Sequence, residues 1–228
     1  STITEPKASP STEFTQPQRT PAPLPKYPAK IKIVVFDRRI ADVDVKAGDS
    51  CIIKFEKNAF MTTERGNAIT DANCYVAGQK IGEFPYNRQL RAVCGNGDYV
   101  CTVASHQVVD GKHEVYVDID LPFILDGKLP LVTNLVGVTF ENRQKYIAAS
   151  VVGDMLSIKH TPTDEYPNTM RVYNTAINEC IGVISSDIDV KLVKKYKAGC
   201  EFSGVISSIY GGTGGKNFGV DIVLLTRK

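Results

Sequence analysis

From Lys30 onward, apolar residues recur in short alternating runs separated by Gly, Asn and Asp. Strict alternation is the period of a strand with one buried face. CIIKF (51–55), YVCTVAS (99–105), HEVYVDIDL (113–121), MLSIKH (155–160), CEFSGVISSIY (200–210) and FGVDIVLL (218–225) all carry it. In HEVYVDID, Val115, Val117 and Ile119 fall on one face, while Tyr116, Asp118 and Asp120 fall on the other. Helical spacing is rarer. It predicts one helix over NRQLRAVC (87–94) and another over SDIDVKLVKKYKAG (186–199). In the second, Ile188, Leu192, Val193 and Tyr196 share a side, and Gly199 stands where a helix would stop. The pattern therefore predicts a mainly β chain with a short helix in each half.

The pattern also repeats. Ala47-Gly48-Asp49 followed by Cys51-Ile52-Ile53-Lys54 matches Val152-Gly153-Asp154 followed by Leu156-Ser157-Ile158-Lys159. Asn67-Ala68-Ile69 matches Asn168-Thr169-Met170, and Lys80-Ile81-Gly82-Glu83-Phe84 matches Cys180-Ile181-Gly182-Val183-Ile184. Gly97 and the strand after it match Gly199 and its strand, and Val117-Asp118-Ile119 matches Val220-Asp221-Ile222. Several matches in one order at nearly constant offset mark a duplicated unit. The expected domains are 30–124 and 131–228, joined at Leu125–Pro130, where Asp-Gly and Pro supply turn chemistry.

Composition sets off residues 1–29, which hold seven of the 12 prolines and few large apolar side chains. Such a stretch buries too little surface to offset its ordering entropy, so it reads as a disordered or polyproline-like arm, and as a tether or a ligand for a protein partner. The arm lacks the charged start and apolar core of a signal peptide. Elsewhere the longest apolar runs, such as IVVF at 33–36, fall far short of the ~20 residues of a membrane-spanning helix. The net charge of +2 gives no broad attraction to duplex DNA or anionic lipid, so any nucleic-acid site must be local. The six cysteines form no C-x-x-C pair and read as reduced, mostly buried thiols of a cytoplasmic protein.

Catalytic chemistry is not evident. Metal-ligand spacing is absent, no cofactor motif is present, and no cysteine–histidine pair stands out as nucleophile and base. His106 and His113 flank a turn at Asp110-Gly111 and are placed to meet across strands as a surface pair. Gly211-Gly212-Thr213-Gly214-Gly215-Lys216 has the look of a phosphate loop. However, Lys216 is followed by Asn217, and the stretch joins two strands instead of opening a helix, so it reads as a hairpin loop.

Several motifs of the second half resemble the HIRAN domain. They are Val136-Gly-Val-Thr-Phe-Glu-Asn-Arg-Gln144, Gly153-Asp154 before a strand, Pro162–Val172, the Ile181-Gly182 step with the helix after it, and Lys216-Asn-Phe-Gly-Val220. The first half carries a fainter version at Phe36-Asp37-Arg38-Arg39, Gly48-Asp49, Asn67-Ala68-Ile69 and Val76–Gly82. The resemblance implies two tandem small OB-like β-barrels. Domains of this kind occur fused to DNA-remodelling helicases, and one of them binds the free 3′ end of single-stranded DNA. Carried over, the first-strand aromatic is Phe140, with Phe36 in the first half, and the loop tyrosine is Tyr166. The family's loop Asn-Asn becomes Thr163-Asp164, its loop Asp becomes Pro167, its His becomes Val183 or Glu83, and its first-strand Arg becomes Thr139 or Val35.

Single strands are held by aromatic platforms beside a local positive groove. Phe140, Tyr166 and Tyr173 are the expected platforms, though a strand aromatic in a small barrel is more often core. Asn142, Arg143, Thr163 and Asn168 are the expected polar contacts to phosphate or base edges. Lys191, Lys194 and Lys195 form the best basic patch, on a helix whose end also favours lysines. Two functions follow as expectations. One is a non-enzymatic module for single-stranded DNA or DNA 3′ ends; the other is a protein-interaction module that kept the framework and lost the DNA site.

Overall fold

The computed structural model describes residues 17, 19–62 and 68–227. The chain divides into two compact units. The N-terminal unit is Pro23–Val132; the C-terminal unit is Thr133–Lys228 together with the described residues that precede Pro23. The fold is mainly β, with two antiparallel sheets.

The N-terminal unit runs β1 (Tyr27–Lys32), β2 (Val34–Val35), α1 (Asp37–Ile40), β3 (Ser50–Thr62), β4 (Ala68–Val76), β5 (Gln79–Glu83), α2 (Asn87–Cys94), β6 (Tyr99–Val109) and β7 (Lys112–Leu121). Its sheet order is β1-β7-β6-β3-β4-β5-β2. The two terminal strands of that order are neighbours in sequence, separated by Ile33 alone. β1 pairs with β7 from Tyr27↔Leu121 to Lys32↔Tyr116, and β2 pairs with β5 through Val34↔Glu83 and Val35↔Gly82. Ile33 is buried, and its N–H donates to the Val115 carbonyl at 3.0 Å. One bent segment thus hydrogen-bonds to both ends of its sheet.

The second sheet repeats this plan. Its elements are β8 (Leu131–Asn134), α3 (Arg143–Ala148), β9 (Met155–His160), β10 (Met170–Asn174), β11 (Glu179–Val183), α4 (Ser186–Lys197), β12 (Glu201–Tyr210) and β13 (Gly219–Arg227), in the order β11-β10-β9-β12-β13-β8. Just after β8, the Leu135 N–H donates to Val220 at 2.9 Å, and Val136 exchanges two 3.0 Å bonds with Val183 of β11. Even the bulges coincide. β4 slips against β5 at Cys74/Tyr75 and β10 against β11 at Val172/Tyr173. Likewise β6 slips against β7 at Val103/Ser105 and β12 against β13 at Ile206/Ser208.

The ladders also correct parts of the sequence match. Val103↔Val117 corresponds to Ile206↔Ile222, so Val117 matches Ile222, two residues beyond Val220. The Phe84 N–H bonds Ala72 as the Ile184 N–H bonds Met170, so Met170 matches Ala72 and not Ile69. The reason is the β3–β4 ribbon, which is longer than the β9–β10 pair and shifts its own tip relative to the frame. Asn67 lies outside the described residues.

Among the described residues each unit holds two helices, not one. α2 and α4 stand where their spacing predicts them, while α1 and α3 are additional. In α4, Leu192 and Val193 are buried, but Asp189 takes the inward place expected for Tyr196. Burial raises the Asp189 carboxyl above its ordinary range. The arm reading of 1–29 also changes at its end, because Tyr27–Ala29 belong to β1; residues 1–16 and 18 lie outside the described residues. Cys51, Cys74 and Cys101 are buried, and all six thiols are free. Among the described residues no helix is long and apolar enough to cross a membrane.

Glycine lets the bent segment approach the facing strand. A β-carbon on Gly82 would overlap the Val34 backbone carbonyl, and one on Gly182 would lie 3.0 Å from Leu135 Cβ and 3.2 Å from the Val136 carbonyl oxygen. Crowding against backbone is relieved less easily than crowding against a side chain. We expect Gly82→Ala to destabilise the N-terminal unit by about 3 kcal/mol and Gly182→Ala the C-terminal unit by about 1–2 kcal/mol. Urea midpoints, followed with a probe in each unit, measure both.

Candidate nucleic-acid interface

In the N-terminal unit, β3, β4 and β5 present a polar face. Alternation puts Lys54 and Glu56 of β3, Asp71, Asn73 and Tyr75 of β4, and Lys80 of β5 on one side, opposite the buried Ile53, Ala72, Cys74 and Ile81. Phe36, at the N-terminus of α1, leans over this face. Phe36, Arg39, Glu56, Lys57, Asp71, Asn73, Tyr75 and Lys80 line a groove of about 570 Å³. The Lys80 ammonium lies 5.3 Å from the Phe36 ring centre and the Arg39 guanidinium 5.8 Å, while Lys54 lies 5.3 Å from the Tyr75 ring. Aromatic rings attended by cations are the elements of a stacking platform for a charged strand.

The floor of the groove is fixed by Glu56, which accepts hydrogen bonds from Asn73 Nδ2 at 2.5 Å and from the Tyr75 hydroxyl at 2.8 Å. These bonds, the Asn73 one first, hold the Glu56 carboxyl below its ordinary range. They also fix the Asn73 amide, because a carboxylate only accepts and so the NH₂ must face it. Asn73 is 4% exposed, and its Oδ1 has no hydrogen-bond partner. A buried acceptor without a donor is costly, and this one belongs to a residue that lines the groove.

The corresponding face of the C-terminal unit is filled by its own chain. Lys159 over Tyr173, at 5.3 Å, repeats Lys54 over Tyr75. Arg171 takes the place of Asn73, since it faces Lys159 and Val183 as Asn73 faces Lys54 and Glu83. The loop between Val136 and α3 is longer than that between β2 and α1, and it delivers Glu141 to Arg171 in two 3.1 Å hydrogen bonds. Glu141 also accepts from Arg143, whose Nη1 donates to the Gly137 carbonyl at 2.8 Å. Gln144 ties the same loop to β13, accepting the Phe218 N–H at 2.7 Å and donating to the Val138 and Phe218 carbonyls.

The residues expected from the sequence separate into different environments. Arg143, 4% exposed, braces its loop and is buried away from any phosphate. Phe140 is 67% exposed on a bend before α3, not on a strand and not in the core. Asn142 caps α3 through a left-handed backbone, φ 60°, with no side-chain capping bond. Thr163 Oγ1 accepts the Tyr166 N–H at 3.0 Å, so it shapes the loop that carries the exposed Tyr166; Asn168 is half-buried beside that loop. Lys191 and Lys194 are exposed on α4 and Lys195 is half-buried. His160 joins the Tyr166 loop to this helix, bonding the Pro167 carbonyl at 3.0 Å and meeting the Tyr196 ring edge-on at 5.5 Å.

The groove residues Asn73, Tyr75 and Lys80 were not among the expected contacts. The polar–apolar alternation of Asp71-Ala72-Asn73-Cys74-Tyr75-Val76 was the signal for that face. His106 and His113 do meet across their hairpin, stacked with ring nitrogens 2.9 Å apart. Because Val45 O can only accept, His106 Nδ1 carries a proton, and in the neutral imidazole its Nε2 accepts from His113 Nδ1. Among the described residues no group of three or more His, Cys, Asp or Glu is placed to hold a metal ion.

Arg143 makes Glu141 testable. The Arg143 hydrogen bond, helped by Arg171, holds the Glu141 carboxyl below the usual carboxylate range. A lowered carboxyl contributes stability above its unfolded value, near pH ~4.3, and loses it as pH falls through the folded value. Glu141→Gln leaves a buried guanidinium underpaired, and we expect it to cost about 1–3 kcal/mol at neutral pH. In denaturant titrations, the gap from the unsubstituted protein narrows as pH drops below ~4. No protein-family model matches the chain, and neither a curated protein nor a solved structure matches it.

Proposed function

We propose that this protein is a non-enzymatic module for single-stranded nucleic acid, built from two small HIRAN-type barrels, with the N-terminal groove as its principal contact surface. The barrel reading is supported by the bent segment that reaches both ends of each sheet. The observation that carries the binding reading is the unpartnered Asn73 Oδ1 beneath Phe36, Tyr75, Arg39 and Lys80. A base stacked on Phe36 would offer its exocyclic amine to Asn73, while Arg39 and Lys80 face the phosphates. Adenine, cytosine and guanine carry such an amine; thymine does not. In the C-terminal unit Phe140 and Tyr166 are exposed aromatics.

Fluorescence anisotropy with labelled 10-nucleotide strands at about 50 and 200 mM salt tests this. Oligo-dA and oligo-dC should bind more tightly than oligo-dT, and binding should weaken with salt. Phe36→Ala should weaken it roughly 5- to 150-fold, the ~1–3 kcal/mol of one stacked base. Lys80→Ala should reduce the salt slope by about one. Comparing a 3′-hydroxyl with a 3′-phosphate separates end recognition from strand binding. Absence of binding at the lower salt would overturn the reading in favour of a protein-interaction module.

A further inference from the structure

The turn before β3 in one unit and the turn before β9 in the other are built alike. Gly48 and Gly153 have φ of 92° and 93°, and their N–H groups donate to Val103 and Ile206 at 2.8 Å. Asp49 accepts the Lys46 N–H at 2.8 Å as Asp154 accepts the Val151 N–H at 3.0 Å. The surroundings then diverge. Asp49 is half-buried, and a β-carbon on Gly48 would meet nothing within 4 Å. Asp154 is 2% exposed, and Asn174 Nδ2 donates to it at 2.7 Å and to Ser150 Oγ at 2.8 Å. Ser150 in turn donates to the Tyr146 carbonyl at 2.9 Å. Val76 stands where Asn174 does, since Cys51↔Val76 corresponds to Leu156↔Asn174. The turn therefore folds without this network. In the C-terminal unit the network holds a carboxylate in a fixed, buried orientation, which is costly unless a cation meets it.

The cation is in place. Arg19 donates Nη1 to Asp154 Oδ1 at 2.6 Å and Nη2 to Oδ2 at 2.5 Å, a two-point contact that a guanidinium makes and an ammonium does not. Two residues on, Pro21 packs on Gly153, where a β-carbon would come within 2.9 Å of the proline ring. We propose that Gly153, Asp154 and Asn174 form a recognition site for an Arg-x-Pro peptide, that Arg19-Thr20-Pro21 of the chain's own arm is its resident occupant, and that an Arg-x-Pro segment of a partner protein exchanges with it. The site is separate from the nucleic-acid groove and stands whether or not that groove binds a strand.

The test uses a labelled peptide of sequence Pro-Gln-Arg-Thr-Pro-Ala and the full chain. A tethered arm competes at an effective concentration of ~1 mM, so a peptide of Kd ~100 µM binds the unsubstituted chain about tenfold more weakly than Arg19→Ala. We expect that tenfold gap in anisotropy titrations. We also expect loss of at least tenfold when the peptide's Arg is replaced by Lys or when Asp154→Asn is added to Arg19→Ala. Should Asp154→Asn fail to fold, Asn174→Val, which copies the residue of the N-terminal unit, takes its place and should weaken binding several-fold. Failure of the peptide to bind Arg19→Ala would overturn the proposal. So would equal affinity for the unsubstituted chain and Arg19→Ala, or binding indifferent to the residue at 154 or 174.

Discussion

The rest of each unit depends on one segment having to serve two strands at once. Tyr27–Val35 gives its first part to β7 and its last to β5, and the turn between them has a single residue in which to be made. That residue, Ile33, is buried and keeps its N–H bonded to Val115, so the bend leaves no backbone donor orphaned. The same demand appears at Leu135 and Val136 in the second unit. Close approach at the crossing explains Gly82 and Gly182, and the matching bulges at Val103/Ser105 and Ile206/Ser208 add local twist to the long strands opposite.

Sharing a frame has left the two units free to differ in what hangs on it. The loop after the bent segment is short in one and long in the other, and the long version carries Glu141 onto Arg171. The β3–β4 ribbon runs on where its counterpart gives way to the Tyr166 loop. The Gly-Asp turn holds a half-buried carboxylate on a backbone N–H in one unit and a buried carboxylate in a side-chain network in the other. In each case, the ladder registers are kept while the chemistry at the frame's surface changes.

Much of the frame was legible in the sequence. β9 and α2 fall within the runs their periodicity marked, and the Gly-Asp and Ile-Gly steps sit at equivalent ladder positions. β1 was hidden by composition, because Pro28 made Tyr27–Ala29 look like more arm; yet the strand stands at one end of its sheet order, where a missing N–H is tolerated. Arg143 read as a surface contact because its partners are made by a loop with positive φ at Gly137, Glu141 and Asn142, which spacing does not reveal. Phe140 read as a first-strand aromatic, but β8 ends at Asn134 and leaves it on an exposed bend. The groove escaped notice because Phe36, Asn73 and Lys80 lie on separate elements, and only the sheet register brings them together.

The Glu141–Arg171 pair has a consequence for how many ligands a chain can hold. A duplicated fold would ordinarily supply two equivalent faces, and with them two chances to engage the same strand. Here one face is already occupied by the chain's own carboxylate and guanidinium. On the proposed reading, the molecule is double in architecture and single in stoichiometry. Any tighter grip through two-point attachment must come from a second molecule on the same strand, so avidity would be a property of protein density along the strand and not of the individual chain.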